Sequence, residues 1–140
     1  MRPSRRGNQV PMLRGLLWID CAAGAVAAVT VVVLSPWLSR LYGLPLNVLL
    51  FIGAANLLYA SYSFSLARRR TRPISLIKLL VYANAAWVLV CIGLAVSFWG
   101  RATVFGLAHL IGEALFVGGL AALEWTQRDR LATGFRAAPG

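Results

Sequence analysis

The stretch HLIGEALFVGGLAALEW, residues 109–125, decides the fold class of this chain. It forms most of one bilayer crossing, because a helix covers the hydrocarbon core with about 20 apolar residues. His109 and Glu113 stand four residues apart in it, on one face of a helix. An ionised carboxylate near the bilayer centre costs at least about 2.5–3.5 kcal/mol, so we expect Glu113 to face the interior of a helical bundle.

The composition of the whole chain agrees with a membrane protein. Of its 140 residues, 59% are hydrophobic and 13% are charged, whereas a soluble domain carries about 25% charged residues. Four apolar stretches have spanning length, at 16–37, 46–66, 79–99 and 103–125. They leave a basic segment at 1–15 and a tail at 126–140. We predict an all-α membrane protein, an antiparallel four-helix transmembrane bundle that forms one domain.

A cleaved signal peptide is the alternative interpretation of the first span, because a basic leader precedes it. Its apolar core at 15–34 is 20 residues long, which exceeds the roughly 7–15 residues of a typical signal peptide. The span also continues into Pro36 and Trp37 without a convincing small-residue cleavage site, so we expect it to be retained.

The two halves of the chain resemble each other in three short segments. LLWID at 16–20 matches LLVYAN at 79–84, SPWLSR at 35–40 matches SFWGR at 97–101, and FIGAANLLYA at 51–60 matches LIGEALFVGG at 110–119. A duplicated helical hairpin explains these matches, and so does chance similarity between apolar segments. In a duplication the two copies are parallel and related by a pseudo-twofold axis along the membrane normal.

The basic residues are sorted between the loops. The N-terminal segment, the middle loop and the tail carry twelve of the fourteen, while the other two loops carry only Arg40 and Arg101. Because basic residues concentrate in cytoplasmic loops, we expect both termini in the cytoplasm. Topology thus explains the net charge of +10, and nucleic acid is not expected as a partner.

The middle loop contains the densest basic run, RRRTR at 68–72. Such a run is typical of a stop-transfer anchor. It also suits binding to anionic lipid headgroups, which is worth about 1 kcal/mol per basic side chain near the surface. The residues expected to bind headgroups are Arg68, Arg69, Arg70 and Arg72.

Polar residues inside the spans form a predicted polar seam, which consists of Asp20, Asn56, Asn84, His109 and Glu113. Asn56 and Glu113 lie near the middle of their spans, whereas Asp20 and Asn84 lie near the cytoplasmic ends, so two polar layers are expected. Trp87 also lies well inside its span and needs a packing partner or an acceptor for its indole N–H.

Several interpretations of the seam remain open. The seam can act as structural glue that fixes the helices by hydrogen bonds, or Glu113 can bind a proton, a cation or a small ligand. A metal site is weaker because His109 and Glu113 supply only two ligands, so we expect no metal and no other cofactor.

Four short motifs carry a resemblance to known proteins: WID at 18–20, LYGLP at 41–45, NAAW at 84–87 and LEW at 123–125. They resemble those of a loose group of small, uncharacterised four-span bacterial inner-membrane proteins. The resemblance covers most of the chain. It implies a location in the bacterial inner membrane and brings no activity with it.

The leading functional hypothesis is an accessory or assembly subunit without catalysis, held together by the polar seam. The alternative is a small proton-coupled transporter or intramembrane ligand-binding protein centred on Glu113. Known catalytic motifs are missing from the sequence, so an intramembrane enzyme would depend on His109 and Glu113 alone, and we assign no catalytic residue. The expected partners are the lipid bilayer with its anionic lipids and either a second copy of the chain or another membrane protein.

Overall fold

The structure is a computed structural model that describes residues 9–132. It contains no strand over that range, and its helices are α1 (Gln9–Val33), α2 (Ser35–Tyr42), α3 (Leu46–Arg68), α4 (Ile74–Ser97), α5 (Val104–Thr126) and α6 (Arg128–Leu131). The predicted all-α helical bundle is confirmed. The beginning of the predicted basic segment, at 1–8, and the end of the predicted tail, at 133–140, lie outside the described residues.

The lengths and apolar character of the helices support a multi-pass membrane protein. The stretches long and apolar enough to cross a membrane are Gly15–Val33, Leu46–Arg68, Ile74–Ser97 and Val104–Thr126. Their outward surfaces carry large apolar side chains such as Leu58, Val104 and Leu115, which are 73%, 80% and 73% exposed. Such a surface is stable only in contact with lipid or with another apolar surface.

The helices begin and end at different residues from the predicted spans, and two of these differences lie next to a proline. The first span was expected to run to Trp37, but α1 ends at Val33 and a separate helix α2 follows. Pro36 lies in the first turn of α2, where its missing N–H costs no hydrogen bond. Helix α4 begins at Ile74, directly after Pro73 and before the predicted start at Leu79.

The long helices are arranged in two antiparallel pairs. Helix α1 packs along α3 and forms the first hairpin, while α4 packs along α5 and forms the second hairpin; contacts between α3 and α4 are sparse. In the first hairpin a Cβ on Gly24 would lie 3.3 Å from Cβ of Ala60, so small residues allow the close approach. This pairing is the one that a duplicated hairpin requires, and the duplication itself stays a prediction.

One end of the bundle, which we call the α2 end, ties the two hairpins together through the backbone. The N–H of Thr103 donates to the carbonyl oxygen of Tyr42 at 2.8 Å, and its hydroxyl donates to the carbonyl oxygen of Leu41 at 2.6 Å. A Cβ on Gly106 would collide with that same Tyr42 carbonyl. Only glycine therefore permits this approach at position 106.

The opposite end, which we call the basic end, is closed by side-chain packing. Leu131 of α6 is fully buried against a cluster that includes Leu17 of α1, Leu66 of α3 and Ile77 of α4. Helix α6 therefore connects the second hairpin to the first at this end.

Candidate functional site

A cavity of about 450 Å³ lies between the two hairpins. All four long helices line it, and the α1 wall consists of Asp20 with the small residues Ala23, Gly24 and Ala27. Apolar side chains from the other helices, among them Phe116 and Val117, complete most of the surface. The small side chains of the α1 wall leave space that larger side chains would fill.

Glu113 is the centre of a first polar group, the central cluster, which also contains Asn56, Trp87 and His109. Its Oε1 accepts hydrogen bonds from Nδ2 of Asn56 and from Nε1 of Trp87, both at 2.8 Å. Asn56 belongs to the first hairpin and Trp87 to the second, so Glu113 connects the two hairpins. The indole of Trp87 thereby has the acceptor that its depth in the span requires.

The other oxygen of Glu113 faces His109. Nε2 of His109 lies 3.3 Å from Oε2 of Glu113, and neither atom has a hydrogen-bond partner within residues 9–132. Two bare acceptors at this distance would repel, so one proton is held between them, either on the imidazole or on the carboxyl group. The central cluster is therefore a proton-holding site.

His109 is the member of the central cluster nearest to the α2 end. Its ring stacks on the ring of Tyr42 at 5.0 Å, and its side chain is 24% exposed. Burial, together with the charge of Glu113, raises the pKa of Tyr42, so the phenol stays neutral and stacks on the imidazole in either protonation state.

A second polar group, the basic-end cluster, contains Asp20, Tyr59, Ser63, Asn84 and Glu124. Oδ2 of Asp20 accepts hydrogen bonds from the hydroxyl groups of Tyr59 at 2.5 Å and Ser63 at 2.8 Å. Nδ2 of Asn84 donates to the Tyr59 oxygen at 2.7 Å and to Oε2 of Glu124 at 2.9 Å. Each of the four long helices contributes at least one member.

Glu124 is the functional candidate that the sequence did not reveal. It is fully buried, and its Oε1 has no hydrogen-bond partner in the described part of the chain. It lies next to Trp125, two residues before the end of α5, and was not included in the predicted polar seam. The available indication was its spacing of eleven residues from Glu113, which is about three helical turns and places both carboxylates on one face.

The five residues of the predicted polar seam are all directed into the bundle. Asp20, Asn56 and Asn84 are 2%, 8% and 1% exposed, and the side chain of Glu113 is 11% exposed. Asn56, His109 and Glu113 meet in the central cluster, whereas Asp20 and Asn84 meet in the basic-end cluster. The expected two polar layers are thus two separate clusters along one cavity.

The predicted headgroup-binding run has one member that departs from the expectation. Arg68, Arg69 and Arg70 are exposed, but Arg72 is only 6% exposed and its Nε donates to the carbonyl oxygen of Leu66 at 3.0 Å. Arg72 caps the last turn of α3, where the carbonyl groups lack partners within the helix, and it is turned away from the surface.

A metal centre is not among the features of this site. Within residues 9–132, no group of three or more His, Cys, Asp or Glu side chains is placed to hold a metal ion.

Comparisons with protein-family models, curated proteins and solved structures find no match to this chain.

Proposed function

We propose that this protein binds a small, largely apolar molecule inside the membrane, in the cavity between its two hairpins. The observation that carries the proposal is the cavity itself. Its volume of about 450 Å³ falls within the range of small-molecule sites, and such sites combine apolar walls with a few convergent polar groups. Here the polar groups come from both clusters and the apolar walls come from all four long helices.

Structural glue alone accounts less well for the arrangement. A purely structural role for the polar residues requires closely packed helices, because hydrogen bonds fix helices most firmly when the surrounding surfaces pack without gaps. In this bundle a cavity borders the buried polar residues Asp20, Asn56, Asn84 and Glu113 instead. The accessory-subunit hypothesis and the expected second copy or protein partner stay predictions from the sequence.

We place the protein in a bacterial inner membrane with both termini in the cytoplasm, because the basic residues are concentrated on that side. In this orientation the basic end faces the cytoplasm and the α2 end faces outward. The pair of His109 and Glu113 then lies on the outward side of the cavity. Their distance of 3.3 Å favours proton-linked exchange of the ligand as a second candidate function.

Filling the cavity tests the proposal. The protein is reconstituted in lipid nanodiscs, and saturable binding of tritiated 2-(1-naphthyl)ethanol is measured above the partitioning into empty nanodiscs. We expect Ala27→Leu to abolish saturable binding, because Ala27 lines the cavity. Ala22→Leu is the matched control, since Ala22 is exposed on the same helix. Absence of saturable binding to the unmodified protein, or equal binding to both variants, would contradict the proposed function.

A further inference from the structure

We infer that the ligand of this cavity is an apolar molecule that carries a protonated amine. The inference rests on the proposed function, since it assigns a chemical class to the molecule that the cavity holds. Three properties of the cavity wall lead to it: the use of its hydrogen-bond donors, the sign of its charge and the presence of aromatic rings.

The amide donors on the cavity wall are already engaged. Asn56 uses both hydrogens of Nδ2, one on the carbonyl oxygen of Ile52 at 3.1 Å and one on Glu113. Asn84 likewise uses both of its hydrogens, on Tyr59 and Glu124. The two asparagines therefore bring no unused amide hydrogen to the cavity, whereas their amide oxygens are acceptors.

The ring-bound donors are engaged as well. Trp87 donates to Glu113 and Tyr59 donates to Asp20, while Tyr62 donates to the carbonyl oxygen of Leu76 at 3.0 Å. Each of these side chains has only one donor hydrogen. A ligand that brings hydrogen-bond donors therefore finds partners in this wall, whereas a ligand that brings only acceptors does not.

The charge of the cavity wall also favours a cationic ligand. The chain has a net charge of +10 and only four acidic residues, yet Asp20 and Glu113 both line the cavity and Glu124 bonds to Asn84 in its wall. Among the described side chains, no Lys or Arg lines it. Glu113 has His109 beside it, but His109 does not line the cavity. In an interior of low dielectric constant, carboxylates attract a cation and repel an anion.

Aromatic rings complete the match. Trp87, Tyr59 and Phe116 all line the cavity, and ring faces attract ammonium groups while their bodies accommodate apolar carbon. A lipid acyl chain would fill the volume but leave the acceptors and the negative charge unused. A protonated amine with an apolar body uses both parts of the wall.

Three probes of matched shape test the inference in nanodiscs: 2-(1-naphthyl)ethylamine is cationic, 2-(1-naphthyl)ethanol is neutral and 1-naphthylacetate is anionic. We expect the amine to bind about tenfold more tightly than the alcohol, and the carboxylate to show no saturable binding. Equal affinities for the amine and the alcohol would overturn the assigned ligand class and leave the proposed function standing. Saturable binding of none of the three would overturn both.

Charge-neutralising variants identify the source of the preference. Glu113→Gln and Asp20→Asn should each reduce the ratio of amine to alcohol affinity, whereas Asp129→Asn should not, because Asp129 is exposed on α6. Where a variant does not fold, the unmodified protein supplies the test: lowering the pH protonates the carboxylates, and the amine should lose affinity while the alcohol keeps it. A ratio that stays constant with pH contradicts the inference.

Discussion

Asn84 and Tyr59 form a hydrogen bond between the two hairpins, with the amide nitrogen 2.7 Å from the phenol oxygen. The Tyr59 hydroxyl in turn donates to Asp20, so this one oxygen joins the hydrogen bonds of both hairpins. A second connection, from Asn56 to Glu113, lies nearer the centre of the bundle. Between these connections the hairpins stand apart, and the cavity lies between them.

Removing the Tyr59 hydroxyl should loosen this connection. We expect Tyr59→Phe to lower the free energy of unfolding by about 1–3 kcal/mol, because Asp20 and Asn84 each lose a buried partner. Denaturant unfolding in micelles, followed by circular dichroism, measures the change. Tyr82→Phe is the matched control, since Tyr82 is 59% exposed. Equal effects of the two substitutions would contradict the role assigned to the Tyr59 hydroxyl.

Two glycines of α5 should respond in opposite ways to alanine. Gly106→Ala should destabilise the protein, because the new methyl group meets the backbone carbonyl of Tyr42, which cannot move away as a side chain can. Gly112→Ala should be neutral or stabilise by up to about 1 kcal/mol, because open space surrounds Gly112 and alanine is the better helix former. Thermal unfolding of both variants in one detergent distinguishes these outcomes.

The proton shared by His109 and Glu113 should become visible in carboxyl infrared bands. When His109→Ala removes the imidazole, Oε2 of the buried Glu113 loses its neighbour, so we expect the carboxyl group to hold a proton at neutral pH. The protonated-carboxyl band should gain intensity in His109→Ala, and the double variant with Glu113→Gln should lose that gain. If His109→Ala brings no gain, or the double variant keeps it, the shared-proton assignment is wrong.

The orientation in the membrane is testable at one residue on each end of the bundle. In a background of Cys21→Ala and Cys91→Ala, a cysteine at Thr71 should react only with reagents that reach the cytoplasm. A cysteine at Gly100 should react with an impermeant thiol reagent added outside. Both positions are exposed in the structure. The reverse pattern would overturn the proposed cytoplasmic location of both termini.

The fold followed from the sequence to the extent that it depends on local properties. Apolar runs of spanning length predict helices wherever they occur, and a Pro at 36 and at 73 limits where a helix can begin. The short helix α2 was not anticipated, because SPWLSRLY is apolar enough to be taken as the end of a span followed by a loop. Its separation from α1 depends on the turn at Leu34 and on packing against α3 and α5.

The sequence predicted most of the residues of the site but not how they are grouped in space. The high cost of a polar group in lipid places Asp20, Asn56 and Glu113 inside the bundle whatever the packing. Their division into two clusters depends on which helices pair, and helix pairing is a long-range property. The cavity depends on the distance between the hairpins, and no local pattern in the sequence sets that distance.

The backbone connection between Thr103 and Tyr42 has a mechanical consequence. The chain also joins the two hairpins at the basic end, through residues 69–73 between α3 and α4, so the hairpins are held at both ends. Helix α5 has 23 residues and is about 35 Å long, so a free rotation of about 5° at the α2 end would move the basic end by about 3 Å. The chain segment 69–73, the packing of Leu131 and the bond from Asn84 to Tyr59 oppose that displacement. A ligand therefore has its shortest route into the cavity from the side, between the two fixed ends.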